Sequence, residues 1–308
     1  MKAQTITAQR GDGVAVEVPV PLKRKQRFNP APFIMLAPAI AFFTTFTFYP
    51  FIKSIVLSFT VTNQRGEFVK WMGLYNYKYL FNSHDFWRVF RNTFVFAGIV
   101  GVGTFFFAML FAAISSSEAP GGRVYQTMFA MPMAIASAPA SAIAMFLFKQ
   151  SGLVNQIFGT EISWITNPNY TLYVVAVVTV WLRIGSSFIF LLVGFRAVSK
   201  EVLESATIDG AGPWRKFFRI TLPMASPQVF FVVFLNITGS FKAFGQIKML
   251  TGGGPNYSSE TLIYSIYRVG VLGTRFDRAC AYAFILFLVI FFVSRIQFLL
   301  EKKVVFYQ

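Results

Sequence analysis

Four polar residues stand inside otherwise apolar stretches of this 308-residue chain, and their side chains are suited to binding a polar solute. Arg183 carries a guanidinium and Lys242 an ammonium, while Asn236 and Ser240 are four residues apart and share one face of a helix. An ionisable side chain in mid-membrane costs roughly 2.5–3.5 kcal/mol on insertion scales, so such residues indicate functional sites by default. These four residues therefore predict a hydrated path for a substrate.

Two aromatic residues, Phe241 and Phe244, lie close to these polar residues in the sequence. Their rings are expected to stack on a sugar along the same path. The structural alternative is that Arg183 and Lys242 snorkel towards an interface or bind backbone carbonyls there. Periodicity alone leaves both interpretations open.

The sequence offers no convincing catalytic centre. His84 is the only histidine and stands beside Asp85, without a nucleophile elbow or a cluster of metal ligands. The glycine-rich run at residues 251–255 lacks the Gly-Lys-Ser/Thr ending of a phosphate-binding loop, so we interpret it as a tight turn. We expect no catalysis, no cofactor and no metal, and the single Cys280 excludes an intrachain disulfide.

The composition places the chain among membrane proteins. It is 55% hydrophobic and 18% aromatic, and only 13% of its residues are charged, against roughly 25% in an average soluble domain. The net charge of +16 is scattered among loops rather than gathered on one face. This distribution favours basic residues that flank membrane segments over a nucleic-acid surface.

Six stretches have the length of about 20 mostly apolar residues that a membrane-spanning helix needs. Pro38 and Pro50 are expected to kink the first of them. The stretches cover about residues 32–58, 92–114, 125–148, 172–195, 228–250 and 279–300.

Charge distribution predicts which side of the membrane each terminus occupies. A basic cluster at residues 23–27 precedes the first stretch and places the N-terminus in the cytoplasm by the positive-inside rule. Six spans then return the C-terminus to the same side. We expect residues 1–30 to form a cytoplasmic tail, disordered over residues 1–21, and residues 31–308 to form one transmembrane domain.

A polar segment, residues 204–227, separates the fourth and fifth stretches on the predicted cytoplasmic side. We expect it to contribute to two short helices. Ser199 caps the first helix, Asp209 and Gly210 supply the turn, and Pro213 starts the second. By periodicity alone, an amphipathic hairpin lying on lipid headgroups is the simpler interpretation.

The spacing within this segment resembles the EAA loop of binding-protein-dependent ABC importer permeases, whose pattern is E-A-A, then D-G-A, then I-x-L-P. Ser205 is the one departure and stands where the middle alanine is usual. The matching residues are Glu204, Ala206, Asp209, Gly210, Ala211, Ile220, Leu222 and Pro223.

The resemblance implies an all-α integral membrane protein with six transmembrane helices in the ABC importer permease fold. The loop would dock on a cytoplasmic ATPase subunit, with Glu204 as the charged contact and Gly210 allowing the turn. Ala206 and Ala211 would permit close approach. The implied partners are a second homologous permease, two ATPase subunits that bind the ATP, and an extracytoplasmic solute-binding protein.

The pattern F-x-x-F at residues 241–244, followed by T-G-G-G-P at residues 251–255, resembles the carbohydrate and sn-glycerol-3-phosphate branch of these permeases. Gly245 stands where many members carry Asp. The first expectation is a neutral sugar or oligosaccharide, with sn-glycerol-3-phosphate close behind. A phosphate would favour Arg183 or Lys242 facing the pathway.

Two other classes of membrane protein stay open. An ion-coupled secondary transporter would need no ATPase, but the six apolar stretches contain no acidic residue for proton coupling. A polytopic membrane enzyme would need a catalytic cluster.

Overall fold

The chain is almost wholly helical. The computed structural model describes residues 5–9, 15–19, 31–116 and 122–306, which fall into two units divided between Phe51 and Ile52. The basic cluster at residues 23–27 lies outside the described residues.

The first unit contains a short antiparallel strand pair, β1 (Thr5–Gln9) and β2 (Ala15–Pro19). Thr5 pairs with Pro19, and Gln9 pairs with Ala15. The expectation of disorder over residues 1–21 was therefore wrong for these strands. Both strands contain β-branched Thr, Ile or Val residues, which favour extended backbone.

The first apolar stretch forms helices α1 (Ala31–Phe43) and α2 (Tyr49–Ser58), joined by a π-helical turn at Thr44–Phe48. Residues Pro32–Ser58 together are long and apolar enough to cross a membrane. Pro38 lies inside α1 without ending it. The wider turn directly precedes Pro50, which has no N–H to donate to the preceding turn, so the predicted irregularity occurs there.

The second unit contains one hairpin and the remaining helices. The hairpin joins β3 (Thr60–Thr62) and β4 (Phe68–Trp71). The helices are α3 (Tyr75–Phe81), α4 (His84–Ser116), α5 (Gly122–Ala130), α6 (Ser137–Phe148), α7 (Leu153–Phe158), α8 (Thr171–Arg196), α9 (Lys200–Ile208), α10 (Pro213–Lys216), α11 (Leu222–Met224), α12 (Ser226–Ser240), α13 (Gly245–Leu250), α14 (Leu262–Tyr267) and α15 (Phe276–Val304).

Among the described residues, four helices are long and apolar enough to cross a membrane, and the number rises to six if each of two bent pairs is one span. The single helices are Pro32–Ser58, His84–Ser116, Thr171–Arg196 and Phe276–Lys303. The bent pairs are Gly122–Ala134 with Ser137–Phe158, at 100°, and Pro213–Met224 with Ser226–Ser240, at 74°. The predicted all-α membrane fold is confirmed.

The third stretch is not the continuous helix that the sequence predicted. Helix α5 ends at Ala130, a 3₁₀ turn covers Met131–Ala134, and α6 starts only at Ser137. Pro132 has no N–H for the helical ladder, which explains the break. The break packs against Gly185 of α8, where an added Cβ would lie 2.8 Å from the Ala130 carbonyl oxygen.

The fifth stretch is also broken. Helix α12 ends at Ser240, residues 241–244 are not helical, and α13 follows. Glycines at positions 239 and 245 flank the break, and glycine weakens a helix because it leaves the backbone free. Lys242 therefore lies in the break and not on the helix that carries Asn236 and Ser240.

Helix α8 lies at the centre of the second unit. Sixty-one per cent of an apolar 18-residue stretch of α8 is buried inside the chain. The same share is 33% in α4 and 17% in α15. Close packing against α4 depends on Gly103, where an added Cβ would lie 3.1 Å from Val180. Helix α12 packs against both α4 and α8, so these three helices form the core that positions the sites described below.

The loop between α13 and α14 is tied to the N-terminal part of α4. The Asn92 side-chain amide donates to the carbonyl oxygens of Tyr257 at 2.8 Å and Ser258 at 3.0 Å. Within the same loop region, the carboxylate of Glu260 accepts hydrogen bonds from Ser265 and Arg268. Burial raises the pKa of the Glu260 carboxyl above its ordinary value, while Ser265 and Arg268 oppose that shift.

We expect Asn92→Ala to lower the free energy of unfolding by about 1–3 kcal/mol, because the loop carbonyls lose buried hydrogen-bond donors. Thermal unfolding in detergent measures the change. Asn82→Ala is the matched control, since Asn82 is exposed at the end of α3. Equal unfolding midpoints for the two variants would contradict the structural role of Asn92.

Candidate functional site

Helices α8 and α12 enclose a cavity of about 380 Å³ whose lining is rich in polar groups; we call it the polar pocket. It brings together three of the predicted residues, Arg183, Asn236 and Lys242. The complete lining is Arg183, Ser186, Ser187, Phe190, Val232, Phe234, Leu235, Asn236, Thr238, Gly239 and Lys242.

Arg183 lies halfway along α8, which runs from Thr171 to Arg196. Its guanidinium has no acidic partner within the described part of the chain, where the recorded ion pairs join other residues. No Asp or Glu lines the polar pocket either. An ionisable residue inside a membrane segment indicates a functional site by default, so Arg183 makes this pocket the candidate site.

The two walls of the polar pocket are joined by hydrogen bonds. The Asn236 amide donates to Ser187 Oγ at 3.0 Å, and the Ser187 hydroxyl donates to Asn236 Oδ1 at 3.2 Å. The Ser240 hydroxyl donates to the Asn236 carbonyl at 2.6 Å and is fully enclosed near α4. Asn236 thus lines the pocket, whereas Ser240 does not.

The two predicted aromatic residues lie elsewhere. Phe241 is buried against Phe94, with ring centroids 5.5 Å apart, and lines a separate apolar groove. Phe244 contacts Tyr264 and Tyr267, at 6.0 Å and 5.2 Å between centroids. The structure does not bring either ring into the polar pocket, and their stacking on a sugar stays a prediction.

Among the pocket residues that sequence reasoning missed, four bear on its chemistry: Ser186, Ser187, Thr238 and Gly239. A signal for two of them was present, because Ser186 and Ser187 follow Arg183 by three and four residues and so share its helix face. The other two are revealed only by the packing of α12 against α8.

A second site is the segment that joins α8 to α12, residues 197–225, which we call the connecting loop. Its two-helix form is as predicted. Ser199 caps α9 by accepting a hydrogen bond from the Val202 N–H at 3.4 Å, and Pro213 begins α10. Gly210 has φ +75°, a left-handed conformation that suits glycine.

The predicted loop residues partly converge on one depression of about 400 Å³. Ser205, Ala206, Asp209 and Ile220 line it. Ala211 lies beside it, since its N–H donates to the Ala206 carbonyl at 2.9 Å. The other predicted positions are an exposed Glu204 and the half-buried Leu222 and Pro223.

Electrostatics at this end of the molecule are acidic on α9 and basic on α10. The backbone N–H of Glu201 and the Ser199 hydroxyl hydrogen-bond to the Glu201 carboxylate and lower its pKa. Arg215 and Arg219 are exposed. The Lys216 ammonium donates to Thr207 Oγ1 at 3.0 Å and so ties the two helices together.

Three large apolar side chains of the connecting loop are more than half exposed at the surface of this chain. Ile208 is 88% exposed, Trp214 75% and Phe218 55%, and the last two rings stack at 6.0 Å. Phe217 is not part of this exposed group, because its ring packs against Phe195 of α8 at 5.3 Å between centroids. Exposed apolar residues that cluster on a polar loop are typical of a docking surface.

Residues 104–306 match the family described as "Binding-protein-dependent transport system inner membrane component". The chain is also similar to two proteins named "sn-glycerol-3-phosphate transport system permease protein UgpA". The one from Yersinia enterocolitica is 31% identical over 90% of this chain and 96% of its own length. The one from Escherichia coli is 30% identical over 90% of this chain and 96% of its own length.

Two solved structures share the fold. A bacterial ABC transporter involved in the import of the acidic polysaccharide alginate has a TM-score of 0.79 at 22% identity, covering 89% of this chain and 96% of that one. The inward-facing MetNI methionine ABC transporter has a TM-score of 0.55 at 14% identity, covering 71% and 95%.

We expect Asn236→Leu and Ser187→Ala to show coupled, non-additive effects on the free energy of unfolding. The coupling energy should be about 0.5–2 kcal/mol, because the two side chains are each other's interhelical partners. A double-mutant cycle of unfolding in detergent measures it. Thr238→Val is the control, since its hydroxyl has no hydrogen-bond partner in the described part of the chain. Additive effects of the two substitutions would contradict the pairing.

Proposed function

The chain belongs to the family of binding-protein-dependent ABC importer permeases of the inner membrane, and on that premise we propose that it carries a carbohydrate across the membrane through the polar pocket. As a permease it is not itself catalytic. Hydroxyl and amide groups on the pocket wall, from Ser186, Ser187 and Asn236, are suited to a polyhydroxylated solute. sn-Glycerol-3-phosphate is the second candidate, favoured by the names of the relatives and by the two cationic side chains in the pocket.

The single observation that carries this proposal is the position of the connecting loop. It joins α8 and α12, which are the two helices that enclose the polar pocket. Phe217 of the loop packs on Phe195 of α8, and the segment continues through α11 into α12. A force applied to the loop therefore reaches both pocket walls directly.

The force would come from a separate ATPase subunit docked on the loop. The exposed side chains of Ile208, Trp214 and Phe218 supply apolar contact area, and the depression beside Ala206 is shaped for a protruding partner residue. Burial of such residues drives most protein association. In this mechanism, closure of two ATPase subunits pulls α8 and α12 and switches access to the pocket between the two sides.

The remaining parts of the assembly follow from the family. A second homologous permease would supply the other half of the pathway, and a solute-binding protein would deliver the substrate on the outer face. We assign the connecting loop and both termini to the cytoplasm. The loop between α13 and α14 would then face outward, because it is held at Asn92, about 35 Å along α4 from Ser115, which lies beside the connecting loop.

An ion-coupled secondary transporter is the less favoured alternative. Such transporters use intramembrane acidic residues for coupling, and none lines the polar pocket. The exposed apolar residues of the connecting loop would also have no docking role in a transporter that works without an ATPase.

Ligand-stimulated ATPase activity tests the proposed function. The complex is purified, reconstituted with its solute-binding protein, and challenged with maltose-type sugars, monosaccharides and sn-glycerol-3-phosphate. Stimulation by one ligand together with its ATP-dependent uptake supports the proposal and names the solute. Failure of any ATPase to co-purify would overturn it.

We expect Glu204→Lys to reduce ligand-stimulated ATP hydrolysis at least tenfold while the permease still inserts in the membrane. The substitution reverses the charge of an exposed residue at the docking surface, and like charges across an interface are unfavourable. Ser205→Ala is the matched control, because it restores the usual residue of the family pattern and should leave coupling intact. Full stimulation in Glu204→Lys would count against the docking role.

We expect Ile208→Asp to weaken association with the ATPase subunits without changing the unfolding midpoint, because 88% of the Ile208 side chain is free of contacts within this chain. Co-purified ATPase per permease is the readout. Unchanged ATPase association in Ile208→Asp would refute the docking surface.

A further inference from the structure

The charge inside the polar pocket is unbalanced. Arg183 and Lys242 both line it, and no carboxylate does. No ion pair or hydrogen bond of the Arg183 guanidinium occurs among the residues described. The pocket also contains a buried hydroxyl, Thr238 Oγ1, without a hydrogen-bond partner in the same part of the chain. Two cationic side chains and a hydroxyl without a partner are groups that suit the binding of an anion.

Resting on the importer function proposed above, we propose that the polar pocket selects an anionic, polyhydroxylated solute whose carboxylate or phosphate binds Arg183, and that Gly239 positions this arginine. The planar guanidinium offers paired N–H donors that match two oxygens of either group. Lys242 adds a second positive charge. Ser187 and Asn236 are placed to contact the hydroxyl groups of the same solute.

Gly239 gives this arrangement its space, because the guanidinium lies directly against α12. A Cβ added at Gly239 would fall 1.9 Å from Arg183 Nη2, 2.9 Å from Cζ and 3.2 Å from Nη1. All three distances are shorter than ordinary contacts, so any other residue would displace the arginine. Glycine weakens a helix interior relative to alanine. At position 239 this cost is offset because the missing side chain leaves space for the Arg183 guanidinium.

This assignment distinguishes between the two solutes that sequence reasoning left open, a neutral sugar and sn-glycerol-3-phosphate. A neutral sugar would leave the two cations of the pocket without a counter-charge in the occupied state. An acidic sugar and a polyol phosphate share the required chemistry, and they differ in whether the anion is a carboxylate or a phosphate. The choice between these two is an outcome of the test.

The first experiment uses the wild-type complex, purified with its ATPase subunits. Its thermal unfolding is measured with inorganic phosphate, glucuronate or glucose at matched ionic strength. We expect a concentration-dependent rise in the unfolding midpoint with phosphate, glucuronate or both, and none with glucose. The anion that acts identifies the phosphate or the carboxylate class. Stabilisation by glucose alone, or by none of the three, would overturn the anionic assignment.

The second experiment uses variants in ATP-dependent uptake by proteoliposomes that contain the solute-binding protein. We expect Arg183→Gln and Gly239→Ala each to raise the solute concentration for half-maximal uptake at least tenfold. Arg183→Lys combined with Gly239→Ala should recover part of the loss, because the compact ammonium needs less space beside α12. Gly98→Ala in α4 is the matched control, since an added Cβ there meets nothing within 4 Å.

The outcomes distinguish this inference from the function beneath it. ATP-dependent uptake of a neutral sugar, unchanged in Arg183→Gln, would overturn the anionic assignment and leave the importer intact. A complex without an ATPase or any ATP-dependent uptake would overturn both. If the variants fail to assemble, the thermal unfolding of the wild-type complex with phosphate, glucuronate or glucose decides whether the solute is anionic.

Discussion

The hydrogen-bonded contact between α8 and α12 is the interaction on which the functional part of this structure depends. Ser187 and Asn236 are both buried, and a buried amide or hydroxyl without a hydrogen-bond partner would be costly. Their mutual pairing fixes how the two helices face each other. That register places Arg183 beside Gly239 and leaves the polar pocket between the helices. The shape of the polar pocket thus depends on the hydrogen-bonded pair Ser187–Asn236 and on the absence of a side chain at Gly239.

The two ends of α4 have different surroundings. Polar groups are paired near its N-terminal end, and apolar side chains are exposed near its C-terminal end. At its N-terminal part, the amide of Asn92 satisfies loop carbonyls, and Glu260 is paired with Arg268, so the loop between α13 and α14 has a fixed shape. A buried ion pair adds little net stability, and its contribution here is to geometry. At the other end, Ile208 and Trp214 stay exposed. This contrast fits an assembly in which the connecting loop awaits a partner while the opposite loop is prearranged.

In the proposed mechanism, the polar pocket and the docking surface are two parts of one element. The connecting loop is continuous with both pocket walls, and Phe217 on Phe195 anchors it to α8. Such direct linkage requires no long chain of intermediate residues, because the helix that carries Arg183 ends where the loop begins. The break after Ser240 ends α12 before Lys242, which lines the polar pocket from outside that helix.

The sequence by itself determined the class of the molecule and the local form of its connecting loop. Long apolar runs require spanning helices, and Ser199, Gly210 and Pro213 act through local backbone chemistry, so their roles were predictable. Only the tertiary structure decided which polar residues meet. Phe241 packs on Phe94 rather than in the pocket, and Gly239 matters because Arg183 arrives from another helix. Those contacts join residues far apart in the chain, and no local pattern records how two helices face each other.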